Sequence, residues 1–243
     1  MSLLLHYKCN DNAANATVDD ASGNGRNGTF LASTTPTNTN TVDATGKVNG
    51  ALSFATASKH NIKYDAAVTP AGSYSMAAWV NFASFGAAGN VWIACQRSAT
   101  SGAYQNWQWF RYKPDNDHIR WMLWTASGSY LVTVLENPSL ATWYHMAIVV
   151  DVSTHKITPY LNGTAGTQAD FVGTPYNGSA NLRISGTSWA SPIDLCIDGL
   201  VDDFRIYDEA LNTARIGLIY HAGAGTEIAK PWAARRRRAI CGG

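Results

Sequence analysis

Apolar residues along this chain recur mostly at every second position or in runs of four to eight, as in strands that are half or wholly buried. Such segments are Leu3–Cys9, Gly50–Phe54, Ser73–Phe82, Val91–Arg97, Asn106–Tyr112 and Ile119–Thr125. They continue as Leu131–Glu136, Trp143–Val150, Lys156–Leu161, Asn181–Ser185 and Leu200–Tyr207. Most are rich in β-branched and aromatic side chains and bounded by Gly, Asn, Pro or Ser. Asn162-Gly163 predicts a tight hairpin turn, because both residues tolerate positive φ. Lys113–Asp117 reads as another turn, and the Thr/Asn-rich stretch 32–46 as a loop. One segment patterns as a helix, Leu211–Tyr220, with Asn212 as its N-cap and Gly223 just past its end. Many strands with no βαβ alternation predict an all-β protein of two packed antiparallel sheets with one short C-terminal helix.

Composition supports that picture. Hydrophobic residues make up 46% of the 243 and charged residues 14%, enough for the core of one large sandwich. The net charge of +1 hides an asymmetry. Residues 230–243 carry five basic side chains and no acid, leaving 13 basic against 17 acidic residues, a balance of −4, in the rest. A mildly acidic body argues against nucleic acid as the main partner. The basic stretch from Lys230 to Ile240, which includes Trp232, reads as a solvated tail or as a docking arm for a partner subunit. The opening apolar run is too short for a secretory signal, and no run of 18 apolar residues spans a membrane. Cys9, Cys95, Cys196 and Cys241 form no CxxC pair, which argues against thiolate metal binding, and without a secretory signal free thiols are expected over disulfides.

Read in order, LLLHYKCNDNAANATVDDASGNGRNGTF, VNGALSF, SYSMAAWVNF, TWYHMAIVVD, KITPYLNGT and DGLVDDFRIYDEALNTARIGLIYHAG resemble the laminin-G-like, concanavalin A-like lectin/glucanase superfamily. The resemblance implies a jelly-roll β-sandwich over residues 2–223, followed by a basic tail at 224–243. It also implies a calcium ion where the first loop meets the closing strand. Carried over residue by residue, the ligands would be Asp20, Asn24 and Asp202, with Asp11 a weaker match. Calcium takes six to eight oxygens, which such a loop can supply. The alternative is a loop without an ion, in which Asp20 closes an Asx-turn and Asp202 caps backbone N–H groups. In strict alternation Asp202 shares a face with Phe204 and Ile206, so it should point into the core.

Chemistry is harder to find. Glycosidases need two carboxylates flanking the scissile bond, but the Glu-x-Asp-x-x-Glu pattern of the glucanase branch does not occur here. No Gly-x-Ser-x-Gly elbow occurs either, and His145 reads as a structural strand histidine rather than a general base. The expectation is a protein without catalytic activity.

The densest aromatic cluster runs from Tyr104 to Tyr112 and from His118 to Trp124. Both faces of these strands carry rings, so they fill a wide core, contact other subunits, or line a sugar-binding trough. Trp107, Trp109, Arg111 and Trp124 are the candidate ligand-facing set. Two functions compete. One is a lectin-like module for a glycan or cell-surface polysaccharide. The other is a structural, decoration or adhesin component of a larger assembly, such as a bacteriophage virion, whose subunits the basic tail would engage at the virion surface.

Overall fold

Strand alternation and turn chemistry produce two sheets. A computed structural model describes residues 3–68, 72–85, 90–97, 105–112, 117–187 and 195–225. The expected turn at 113–116 and the basic stretch at 230–243 lie outside the described residues. The strands are β1 (Leu3–Tyr7), β2 (Thr17–Val18), β3 (Gly28–Ala32), β4 (Thr35–Pro36), β5 (Asp43–Thr45) and β6 (Gly50–Phe54). Next come β7 (His60–Tyr64), β8 (Tyr74–Ser84), β9 (Val91–Arg97), β10 (Gln105–Tyr112), β11 (His118–Thr125) and β12 (Gly128–Glu136). The last are β13 (Trp143–Asp151), β14 (Lys156–Leu161), β15 (Thr164–Ala165), β16 (Ala169–Asp170), β17 (Leu182–Ile184) and β18 (Asp198–Tyr207).

The first sheet runs β15-β14-β13-β8-β18-β6-β5, with β1 also beside β18 and β16 beside β14. The second runs β12-β11-β10-β9-β17-β7-β3-β2, with β4 beside β3. Among the described residues each has nine strands, and the pairings are antiparallel, the arrangement of a jelly-roll sandwich. The stretch 32–46, expected to be a loop, holds β4 and β5. These strands are two and three residues long, too short to leave a periodic signal.

The inward faces meet in one apolar cluster. Leu5, Tyr7, Met76, Ala78, Val80, Val201, Phe204 and Ile206 come from the first sheet, and Phe30, Ile62, Ile93, Trp107, Trp109 and Trp121 from the second. A smaller cluster lies on the outer face of the first sheet. There Leu3, Ala77, Ala147, Val149, Tyr160 and Tyr207 receive Leu211, Ile216 and Ile219 from helix α1 (Thr213–Tyr220) and its approach. Asn212 caps that helix by accepting a hydrogen bond from the Arg215 N–H, as the sequence predicts. At the Asn162-Gly163 turn both φ are positive, 48° and 79°. A Cβ on Gly163 would stand 2.7 Å from Tyr220 Cδ1, so glycine also makes room for the end of the helix.

Alternation fails at one place in β18, and this corrects the expected inward position of Asp202. The register with β8 shifts between Asp202 and Arg205, where Asp203 has φ of 52°. The extra residue makes a β-bulge. Val201 and Phe204 both face the core, while Asp202 and Asp203 turn to the outer face. Asp202 sits opposite Trp79 and accepts hydrogen bonds through Oδ2 from the N–H groups of Lys47 (2.8 Å) and Val48 (2.7 Å). Asp203 Oδ1 accepts from Arg205 Nε (2.9 Å) and Nη2 (2.8 Å) and lies 2.6 Å from His6 Nε2. Burial alone would lower the pKa of Arg205, but the adjacent Asp203 carboxylate holds it above its ordinary value. His6 is pushed the other way, because burial outweighs its bond to Asp203. Beside this group His145 packs against the rings of Trp79 (5.1 Å) and Tyr220 (5.6 Å). Burial, aided by the Arg205 charge, lowers its pKa to about 3.

Two expected outcomes follow. Asp202→Ala leaves two part-buried N–H groups without their acceptor and should cost about 2 kcal/mol in urea unfolding. Asp202→Asn, which keeps an acceptor oxygen, should cost less. The unfolded chain protonates His145 near pH 6.5 and the folded chain only near pH 3. The stability held above pH 6.5 is therefore lost as pH falls through that window, by up to about 1.4 kcal/mol per pH unit. His145→Met should flatten the decline in unfolding free energy between pH 6.5 and 4.

Candidate functional site

The outer face of the second sheet gathers the polar and aromatic side chains that the core cannot use. Register assigns them. Trp109 faces the core between Ala94 on β9 and Trp121 on β11, so Gln108 and Phe110 face outward. Three rows cross the strands on this outer face. Trp92, Phe110, Arg120 and Thr133 form the first, and Arg183, Cys95, Gln108, Met122 and Leu131 the second. The third holds Arg97, with Asn106 and Trp124 on the neighbouring strands.

The grid is graded in exposure. Cys95, Asn106, Gln108, Phe110 and Arg183 are buried, whereas Trp92, Arg97, Arg120, Met122 and Trp124 are half-buried and Leu131 is exposed. Phe110 braces Trp92 from below, with ring centroids 5.5 Å apart and planes 20° from parallel. Asn106 ties down the neighbouring loop through Nδ2 to the Gly178 carbonyl (3.1 Å) and Oδ1 from the Gly178 N–H (2.9 Å). Among the described residues, Gln108 Nε2 and Arg183 Nε make no hydrogen bond, although both side chains are more than nine-tenths buried. Such donors hold a desolvation cost that a bound acceptor would offset.

The structure divides the four expected ligand-facing residues. Trp107 and Trp109 are fully buried and pack in the core, so neither can offer a ring to a ligand. Arg111 lies on the same inward side, 2% exposed, with Nε 2.5 Å from Asp117 Oδ1 and its guanidinium 3.8 Å above the Phe85 ring. Trp124 is on the outer face, half-buried. The expected set mixed two faces, because Trp107 pairs with Leu123 and not with Trp124. The residues missed were Trp92, Gln108, Phe110, Arg120, Met122 and Arg183. For Gln108, Phe110, Arg120 and Met122 the signal lay in β11, where Ile119, Trp121 and Leu123 make one wholly apolar face and thereby settle the inward side of β10.

The expected calcium ligands do not form one set. Asp20 Oδ1 accepts from the N–H groups of His6 (3.0 Å) and Ser22 (2.9 Å), and Oδ2 from Ser22 Oγ (2.7 Å) and the Arg26 N–H (3.0 Å). Burial would raise its pKa, but these donors hold it below the usual carboxylate range. Asn24 turns its Nδ2 toward the carbonyls of Leu3 (2.8 Å) and Leu4 (3.1 Å). Asp11 accepts from the Asp19 N–H (2.9 Å). Asp202 is committed to the separate loop at Lys47 and Val48. Among the described residues no three His, Cys, Asp or Glu side chains gather as a metal site. Donors therefore occupy the loop carboxylate where an ion would need its lone pairs, and a shared ion does not fit this arrangement. Chelation with EDTA should leave the melting temperature unchanged. A fall of several degrees on chelation, reversed by added calcium, would contradict the donor-filled geometry.

No curated protein sequence matches the chain. Among solved structures, domain 4 of a GH43 extracellular arabinanase from Geobacillus stearothermophilus, in complex with arabinotriose, aligns with a TM-score of 0.66 at 20% identity. That alignment covers 93% of this chain and 98% of that one. The botulinum neurotoxin type G receptor binding domain aligns with a TM-score of 0.59 at 17% identity, over 91% of this chain and 51% of that one. The binding domain of botulinum neurotoxin DC, in complex with rat synaptotagmin II, gives 0.65 at 11% identity, over 91% and 52%. The chain thus spans about half the length of the toxin binding domains. The fold is shared with all three, and a family model matches residues 55–217, two-thirds of the sequence: the chain belongs to the concanavalin A-like lectin/glucanases superfamily.

Proposed function

We propose that this protein is a non-catalytic glycan-binding module whose ligand lies across the outer face of the second sheet, over β9, β10 and β11. The observation that carries this reading is one half-exposed surface that combines ring faces with hydrogen-bonding groups. Trp92 and Trp124 supply the rings, Arg120 and Gln108 the polar groups, and Met122 an apolar floor between them. Sugars need this mixture, because their C–H faces stack on aromatic rings while their hydroxyls demand directed partners. The arabinanase domain with arabinotriose, similar over nearly its whole length, supports a carbohydrate ligand. Asp20, Asp202 and Asp203 are each engaged in holding loops or a strand, which supports binding rather than acid–base chemistry.

A second reading, an adhesin or decoration subunit of a larger assembly such as a virion, draws on a different feature. Strand β12 closes one end of the second sheet, and Glu136 is its only charged residue. An edge with so little charge invites pairing with another chain. Beside it a groove of about 510 Å³ is lined by Leu131–Glu136, Leu161 and 167–169. Subunit contacts along β12 would leave the glycan face free, so the two readings are compatible.

A glycan array tests the first reading. The parent should retain a defined set of glycans, and Trp92→Ala and Trp124→Ala should each weaken the best ligand at least about tenfold, equivalent to ~1.4 kcal/mol. Absence of binding to any glycan, by a protein with intact β-sheet circular dichroism, would overturn it.

A further inference from the structure

The folded body is acidic overall, yet the cations of its candidate binding face are concentrated on one side. Excluding residues 230–243 the balance is −4. The outer face of the second sheet nevertheless carries Lys63, Arg97, Arg120 and Arg183. The carboxylates at its margins have their own basic neighbours. Asp65 is ion-paired with Lys63 and also accepts from Asn181 Nδ2, and Glu136 lies opposite His118 at the end of β12.

Two of these cations share a corner. Arg183 on β17 lies directly opposite Cys95 on β9, and Arg97 lies two residues further along β9 on the same side. Diagonal neighbours of this kind have Cα atoms about 7–8 Å apart, within reach of one small anion held between two guanidinium groups. Cys95 is small and fully buried, and it donates its own Sγ–H toward the Gly186 carbonyl at 3.6 Å rather than to either arginine. On the far side of Cys95, Gln108 completes the row.

Arg183 is 8% exposed, and its Nη1 donates to Asn61 Oδ1, a neutral acceptor. Its Nε and the Gln108 Nε2 are among the buried donors that make no hydrogen bond within the described residues. A cation removed from water without a tight carboxylate partner is costly, and an incoming anion offsets that cost with charge-assisted hydrogen bonds. Burial accordingly lowers the pKa of both Arg183 and Arg97 from the ordinary guanidinium value, though both remain cationic.

We propose that Arg183, Arg97 and Gln108 form an anion subsite within the candidate face, and that the ligand is an acidic glycan whose carboxylate or sulfate group is held at the half-buried Arg97 side of this corner. The proposal rests on the glycan-binding reading and narrows it to a charged class of sugar. Two guanidinium groups and an amide provide the fork-shaped donors that planar carboxylates and sulfate esters accept. Trp92 and Trp124 would then hold the neutral rings on either side.

Titration calorimetry on the full chain, with three probes, tests this: a galacturonate trisaccharide, its neutral methyl ester and a sulfated disaccharide. The expected result is binding of at least one anionic probe, with the methyl ester at least about tenfold weaker than the free acid. Preference between the two anionic probes identifies the group that the corner takes. Arg183→Gln and Arg97→Gln should each reduce binding of that probe about tenfold, while Arg120→Gln, outside the corner, should reduce it less. Thermal melts check that each variant is folded, and Arg97→Gln stands in should Arg183→Gln fail, because Arg97 is only half-buried. Equal affinity for the acid and its ester overturns the subsite and leaves the glycan reading intact. Loss of affinity for both, in the Trp92→Ala variant alone, does the same. Anionic binding unaffected by either corner variant also overturns the subsite, since the charge recognised then lies elsewhere. No binding of these probes, together with an empty glycan array, overturns both readings.

Discussion

The buried carboxylate of Asp203 is the contact on which the first sheet turns. One residue too many at this point of β18 breaks its alternation, and two successive acids then face outward where a regular strand would have sent one inward. The cost of burying them is met locally. Asp203 takes both nitrogens of one edge of Arg205 and the ring of His6 from β1, while Asp202 takes two N–H groups from the loop after β5. The bulge thereby ties to β18 two segments that lie far away along the chain. A hydrophobic pair at the same place would fill the space but could not satisfy those loop N–H groups.

The same bulge marks the limit of what the sequence shows. Long strands with clear borders, such as Val91–Arg97 and Lys156–Leu161, are found where alternation predicts them, and the Asn212 cap and Asn162-Gly163 turn are local chemistry that needs no tertiary context. Strands of two or three residues such as β2, β4 and β15 have too few positions to show a period, and they exist because a neighbour pairs with them. A residue held in the left-handed region by a buried ion pair leaves no trace in the alternation of its neighbours. Strict reading of LVDDFRIY therefore sent Asp202 to the wrong side.

The candidate face was half legible for a related reason. QNWQWFRY carries aromatics on both sides, so its own pattern does not say which side is wet. The answer comes from its partner strand, HIRWMLWT, whose positions 119, 121 and 123 are all apolar and whose even-numbered ones are mixed. Inward go the indoles of Trp107, Trp109 and Trp121, and outward the groups that tolerate water. The contribution of Arg183 needed the fold itself, because β17 is three residues long and inserts beside β9 from almost ninety positions away. Face and charge emerge only when three distant strands are set side by side.

The position of β18 also has a consequence in time. It is the last of the described strands to be made, yet it occupies the middle of its sheet, between β8 on one side and β1 and β6 on the other. His6 must wait 197 residues for Asp203. During synthesis the first sheet is therefore three separate pieces with their apolar faces uncovered, and it closes only after residue 207 leaves the ribosome. Contacts so distant make for slow folding, and the unclosed edges of β8 and β1 are open to other nascent chains meanwhile. A protein built this way depends on residues 198–207 for the order of residues 3–7.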